Sequence, residues 1–246
     1  MLILALESSA KPASVAVCSD TELLGQYYQN SGLTHSRTLL AMAESLLKNL
    51  GISVAEIDLV AVSRGPGSFT GVRIGVAAAK GLAWSLDKPI CGVSTLEAMG
   101  YQAPEPGGVL LCPVMDARRS QVYNALFEWQ GDTLIRLCED RAISLDELSS
   151  DLRSRYKRPA PVNNNSELVT PCLLIGDGAN ICNDFFSAEG VPSRIAPELV
   201  RWQTAYGVAL AALRSEPVAA VDLEPSYLRP SQAERERGAS GIGARG

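Results

Sequence analysis

The stretch SRGPGSFTGVRIG, residues 63–75, sets four glycines and a proline between an apolar run and an alanine-rich one. A glycine turn leading into a helix start is the arrangement that cradles phosphate on free backbone N–H groups. The known signatures fail here, however. A Walker A loop needs G-x-x-x-x-G-K-[ST], and no lysine stands in place after Gly65, Gly67 or Gly71. A dinucleotide fingerprint needs G-x-G-x-x-G, and Thr70 occupies the last glycine position. What remains is a helix N-terminus able to attract an anion. His35 beside Ser36 invites a nucleophile–base reading, but no second histidine and no clear orienting carboxylate accompany it. His35 is therefore expected to open a helix at an interface.

That single histidine excludes H-E-x-x-H zinc sites and two-His-one-carboxylate iron sites. The six cysteines form no C-x-x-C pair and lie mostly in apolar runs, so buried free thiols in a reducing cytoplasm are expected, with no metal. A formal charge of −5 argues against a chain that holds nucleic acid alone by charge. The basic run RSRYKRP (153–159) could meet nucleic-acid phosphates, although a solvated helix end explains it as well. No apolar run approaches the length of a membrane span, and MLILALESSA lacks the basic start of a secretory signal.

The elements that must position these residues alternate short apolar runs with longer amphipathic ones. Strands are expected at 2–6, 13–19 and 22–29, a helix at 34–50, a strand at 59–63, a helix from Ser68 to Leu86, a strand at 89–94 and a short helix at 95–101. Ser53 and Glu56 stand at capping-box spacing. After the Pro/Gly-rich linker 103–108 the order begins again. Strands are expected at 109–117, 121–129 and 133–139, then a helix capped by Ser144 and a loop at 158–171. A strand at 172–176, a helix at 179–188, a strand at 191–196 and a helix at 202–214 complete the series. Strand-strand-strand-helix-strand-helix thus occurs twice, which implies two α/β subdomains facing each other across a cleft. The polar end 231–246 is expected to form a disordered tail.

Two helices carry surplus apolar surface. In the second, Gly71, Gly75, Ala78 and Leu82 share one face and Val72, Val76, Ala79 and Ala83 another, with only Arg73 and Lys80 charged between Ser68 and Leu86. Glycine in a helix costs about 1 kcal/mol against alanine, so each needs a packing reason. Either another helix backbone approaches this face, or the glycines fit tightly inside their own subdomain. In the first helix Leu39, Leu40, Met42, Ala43, Leu46, Leu47 and Leu50 span an arc wider than sheet docking requires. Together they look like half of a four-helix interface.

ILALESSAKPASVAV, THSRTLLAMAESLL, VSRGPGSFTGVRIGVAAAKGLA, MDARRSQVY and PSYLRP together resemble the TsaB (YeaZ) family of the bacterial tRNA threonylcarbamoyladenosine system, over residues 1 to about 230. The resemblance implies an α/β, actin-like or Hsp70-like ATPase fold of two ribonuclease-H-like subdomains with mixed sheets. They would occupy 1–102, with helix 202–214 packing back on it, and 103–230. It also implies a cytoplasmic, non-catalytic scaffold for TsaD, the partner that adds threonylcarbamoyl to the adenosine beside the anticodon in tRNAs reading codons that begin with A. TsaD's metal site uses paired histidines, so ATP and metal belong to partner subunits and this chain needs no cofactor. TsaB proteins pair with TsaD, or with themselves, through their first two helices. Here the expected interface is Leu39, Met42, Ala43, Leu46, Gly71, Ile74, Gly75, Ala78 and Leu82. The ATPase TsaE joins the complex, and tRNA meets this chain indirectly.

ATPases of this fold place an aspartate at the first strand turn. The matching residue is Glu7, followed by Ser8 and Ser9. IGDGAN, with Gly176, Asp177 and Gly178, resembles the second glycine turn, though a plain strand-to-helix connection fits it too. These residues would form a vestigial nucleotide site. Asp116, Arg118 and Arg119 make a charged turn typical of the family, with no role assigned. The competing reading is an ATPase or kinase whose cleft is active.

Overall fold

The computed structural model describes residues 1–20, 22–104, 108–159 and 167–229. The expected tail 231–246 and part of the 103–108 linker lie outside the described residues.

The chain opens with a meander, β1 (Ile3–Glu7), β2 (Ala13–Cys18) and β3 (Leu23–Gln29), followed by α1 (His35–Leu50). Ser53 and Glu56 form the expected capping box on a single helical turn. β4 (Leu59–Ser63), α2 (Phe69–Leu86), β5 (Ile90–Val93) and α3 (Thr95–Tyr101) complete the first half. The sheet order is β3-β2-β1-β4-β5, with β1, β4 and β5 parallel and the meander antiparallel. Strand side chains alternate between the two faces. Leu4 and Leu6 join the core under α1 and α2, while Ile3 and Ala5 face the opposite way, so β1 reads as one unbroken apolar run.

The second half contains β6 (Leu110–Arg118), β7 (Gln121–Asn124), β8 (Phe127–Gln130), β9 (Thr133–Arg136), β10 (Arg141–Ser144) and α4 (Leu145–Arg155). After it come the small hairpin of β11 (Lys157–Pro159) and β12 (Glu167–Val169), then β13 (Cys172–Ile175), α5 (Ala179–Ala188), β14 (Ser193–Ile195), α6 (Glu198–Arg201) and α7 (Ala205–Ala212). The main path of its sheet is β10-β7-β6-β13-β14, the same topology as the first. One element departs from expectation. The third strand of this meander is β10, and the expected strand at 121–129 is broken in two. Buried Asn124 marks the break, its amide donating to the carbonyls of Pro113 and Ala125. Past it the chain leaves as the β8–β9 hairpin, which returns to β6 through the pairing of Leu111 with Phe127.

Helices α1 and α2 cover the outer face of the first sheet, and α4 and α5 that of the second. Between the sheets lie α3 and α7, sharing one continuous core with Ile3, Ala5, Leu111, Met115, Leu173 and Ile175. The expected helix at 202–214 is the shorter α7, capped by Thr204, and it packs on β1, β2 and β4. The chain then runs back along the first half. Val218 bridges to Ile90, Leu223 enters the core under α2, and Lys80 Nζ donates to the carbonyls of Val221 and Leu223 at 3.1 and 2.9 Å. Among the described residues no helix is long and apolar enough to cross a membrane.

Candidate partner surface and cleft

The structure places the expected interface residues on two different sides of their helices. Leu39, Ala43 and Leu46 are buried inside the chain, at 1%, 4% and 2% exposure. Leu46 fits over Gly25 of β3, where a Cβ would lie 2.9 Å from its methyl carbon. The two helix glycines are also turned inward. A Cβ on Gly71 would stand 2.1 Å from the Ser8 carbonyl oxygen, and one on Gly75 would stand 2.3 Å from Ser8 Oγ. Ser8 Oγ donates to the Gly71 carbonyl at 2.9 Å, and Ser68 N–H donates to the Ser9 carbonyl at 2.6 Å. These glycines therefore hold the β1–β2 turn against α2 with no space for a side chain. Leu39, Ala43, Leu46, Gly71 and Gly75 are corrected from partner surface to internal packing, because the sheet and its first turn consume that arc.

What faces outward lies further round each helix. Met42, Ala78 and Leu82 are half-buried at the edge of the core, and Ile74 is half-buried beside the cleft. Ile74, Ala77, Gly81 and Trp84 follow the helical spacing of one stripe on α2, with Trp84 84% exposed. On α1, Leu40 is 49% exposed beside exposed Ala41. Gly81 has nothing within 4 Å of the position of a Cβ. A small-residue stripe open to another helix does exist, but it is Ala77, Ala78 and Gly81.

A cleft of about 910 Å³ opens where the β1–β2 turn, the starts of α1 and α2, the β6–β7 turn and residues 226–229 converge. Its lining includes Ser9, Lys11, His35, Asp116, Arg118 and Asp177. Glu7, Ser8 and Ser9 come together as expected, yet Glu7 does not offer its carboxylate to a ligand. It is 1% exposed, with Oε1 accepting from the Ser9 N–H at 2.5 Å. Burial pushes its carboxyl above the ordinary range, outweighing the hydrogen bonds donated to it. Gly176 and Gly178 meet the Val114 carbonyl rather than open space, so both are spent on packing the turn onto β6. Asp177 does line the cleft. Burial raises its carboxyl too, with nearby Asp116 adding to the effect, and Asp177 Oδ1 accepts from Asp116 N–H at 3.3 Å.

The structure also gives the charged turn a task. Arg118, Arg119 and Ser120 all have left-handed backbones, at φ 66°, 57° and 56°. Side-chain-bearing residues adopt that region only when held there. Asp116 does the holding: its Oδ1 accepts from Arg118 N–H at 2.7 Å and its Oδ2 lies 3.3 Å from Arg118 Nη1. His35 Nε2 lies 2.8 Å from the Ala10 carbonyl, so it donates there and joins α1 to the β1–β2 turn. Sequence spacing alone does not bring Ala10, Asp116 and residues 226–229 to the same cleft. In the basic run, Arg153 pairs with Glu189 and Arg155 with Asp151. Among the described residues no three His, Cys, Asp or Glu side chains gather where a metal ion would be held.

A family model described as "TsaD: tRNA N6-adenosine threonylcarbamoyltransferase" matches residues 29–236. The Bacillus subtilis (strain 168) "tRNA threonylcarbamoyladenosine biosynthesis protein TsaB" is 29% identical over 238 residues, 95% of this chain and 96% of that protein. The chain belongs to the TsaB (YeaZ) family. The Escherichia coli (strain K12) TsaB is 35% identical over 139 residues, 54% of this chain and 60% of its own. A Pseudomonas aeruginosa structure described as similar to peptidase YEAZ superposes with a TM-score of 0.71 at 25% identity, covering 93% of this chain and 99% of that one. This TsaB-family chain has the α/β architecture implied by its duplicated order of elements, with mixed sheets in both halves and the fold of the YeaZ-like structure.

Proposed function

We propose that this chain is a non-catalytic scaffold in tRNA threonylcarbamoyladenosine biosynthesis, pairing with and stabilising a TsaD homologue in the cytoplasm. Its curated relatives carry that pathway in their names, and the family model that spans 29–236 is described by the transferase itself. The observation that carries the reading is the outward stripe Ile74, Ala77, Gly81 and Trp84 beside Leu40 and Ala41. It is an apolar helix pair on the surface of a chain with formal charge −5. A partner matched by the same family model presents a similar pair, so the two chains would meet about a pseudo-two-fold axis as a four-helix layer. Small side chains at Ala77, Ala78 and Gly81 let a second helix approach closely. A TsaE homologue joins this pair, ATP and metal are held by the partner subunits, and in their absence two copies of this chain use the same surface.

The commitment of His35 to Ala10, and of Glu7 to Ser9, favours the scaffold over an active ATPase or kinase cleft. Leu40→Glu and Ala77→Arg, both at exposed positions, are expected to abolish co-purification with the TsaD homologue while leaving the far-ultraviolet circular dichroism unchanged. Leu46→Glu, in the core, is expected to unfold the chain instead. Retained pairing in both exposed variants overturns the reading.

A further inference from the structure

Ion pairing is unevenly distributed over the surface. Arg136, Arg141, Arg153 and Arg155 are all tied to carboxylates. Around the mouth of the cleft the cations are differently placed. Lys11 and Arg119 are exposed and make no ion pair among the described residues. Arg118 leans on Asp116 with its side chain 86% exposed, and Arg229 Nη1 is held at the cleft wall by the Ala117 carbonyl at 2.7 Å. Arg73 lies 3.9 Å over the Phe69 ring and donates to Tyr227 Oη, in a small aromatic platform whose rings line the same cleft. The left-handed triplet 118–120 carries two consecutive arginines, both exposed, at one turn.

The wall between the two helix starts is also unfinished. Helix α1, 16 residues long, has no side-chain cap and no acid in its first turn, so its positive pole faces the cleft uncompensated. Ser9 is fully buried on that wall, and its hydroxyl has no hydrogen-bond partner. His35 Nδ1 is buried without a partner too. Because the Ala10 carbonyl can only accept, Nε2 carries the proton, and in the neutral ring Nδ1 is left as an acceptor enclosed by the chain.

We propose that the rim formed by Lys11, Arg118, Arg119 and Arg229, with the start of α1, receives the phosphodiester backbone of an RNA strand. The inference rests on the proposed function and names the tRNA as a direct partner of this chain. Two observations favour RNA. Lys11, Arg118 and Arg229 line the cleft together with Asp116 and Asp177, whose carboxylates repel a polyphosphate driven inward but not a strand lying across the mouth. Tyr227, 40% exposed at the cleft, offers a base a stacking surface.

The test uses the complex of this chain with its TsaD homologue and unmodified tRNA transcript, titrated over a range of salt. Lys11→Glu combined with Arg119→Glu touches no internal contact and should weaken tRNA binding roughly tenfold. It should also flatten the slope of log K against log salt by about 1.5, close to one unit for each phosphate that is no longer neutralised. Arg153→Glu combined with Arg155→Glu imposes the same change of charge elsewhere and should leave the slope in place. Equal losses in both double variants, or an unchanged slope in the rim variant, overturn the proposal. So does loss of the TsaD or TsaE homologue, or of ATP, with tRNA affinity intact. Failure of the unmodified chain to pair with TsaD at all is a different result, and refutes the scaffold reading on which the proposal stands.

Discussion

Replacing the glycines of α2 by alanine, one at a time, measures whether that helix is packed on its own chain. At Gly71 the new methyl meets a backbone oxygen, and the gap must open from 2.1 Å to ordinary contact near 3.4 Å. Neither side of that collision can rotate away. Overpacking of this kind costs about 3 kcal/mol at its upper end, and the better helix propensity of alanine returns about 1 kcal/mol. A net loss of about 2 kcal/mol, or a drop of roughly 4–8 °C in Tm for a chain of this size, is expected. At Gly75 the obstacle is only the Ser8 hydroxyl, which can turn aside at the loss of its hydrogen bond to Gly71, worth about 1 kcal/mol. Gly75→Ala should therefore be nearly neutral, and Ser8→Ala should relieve it further while doing nothing for Gly71→Ala. Gly81→Ala meets nothing and should stabilise by about 1 kcal/mol. Urea unfolding monitored by tryptophan fluorescence and circular dichroism ranks the three. If Gly71→Ala proves as stable as Gly81→Ala, the β1–β2 turn is not seated on α2 and the inward assignment of that face is wrong.

Two further outcomes follow from burial. Glu7 has its carboxyl raised in the folded state, so the folded chain holds that proton more tightly than the unfolded one, and stability falls as pH rises through the raised value. Glu7→Gln should raise Tm most at alkaline pH, with the gain shrinking on acidification; Asp177, shifted in the same direction, keeps part of the decline in place, and a gain that does not vary with pH refutes the account. Burial pushes the Cys172 and Cys182 thiols up to about 12, and Cys138 alone is not fully buried, so a thiol reagent should modify about one cysteine in the native chain and Cys138→Ser should remove that signal, whereas rapid labelling of three or more contradicts the packing.

The duplicated order of elements was legible because β1, β4, β6 and β13 are short apolar runs and one crossover helix in each half, α2 and α4, carries a serine cap. Ser53, Ser68 and Ser144 all accept the backbone hydrogen bond their positions suggest. The phase of α2 was legible as well: its two apolar faces are where the spacing puts them. The neighbour of each face was not. Nothing local to Gly71 and Gly75 announces Ser8, some 63 residues earlier, and a helix partner and a tight turn demand the same absence of a side chain. β10 escaped notice because buried Asn124 breaks a run that reads as one strand. The cleft was legible only through its glycine turns, since Lys11, His35, Arg118 and Arg229 meet by topology from four separate segments.

The return of the chain after α7 bears on how the molecule is made. α7 covers the inner face of the first sheet, Val218 pairs with its β5 edge, and Leu223 finishes the core under α2. All three leave the ribosome well after the sheet they complete. Domains usually fold in the order of their synthesis, but here the first hundred residues emerge with one side of their sheet bare and its border unpaired, and they stay so until these later segments follow. A nascent chain halted after Tyr101 is thus unfinished rather than an early module, and exposes Ile3, Ala5 and Ala61 to any chaperone at the exit.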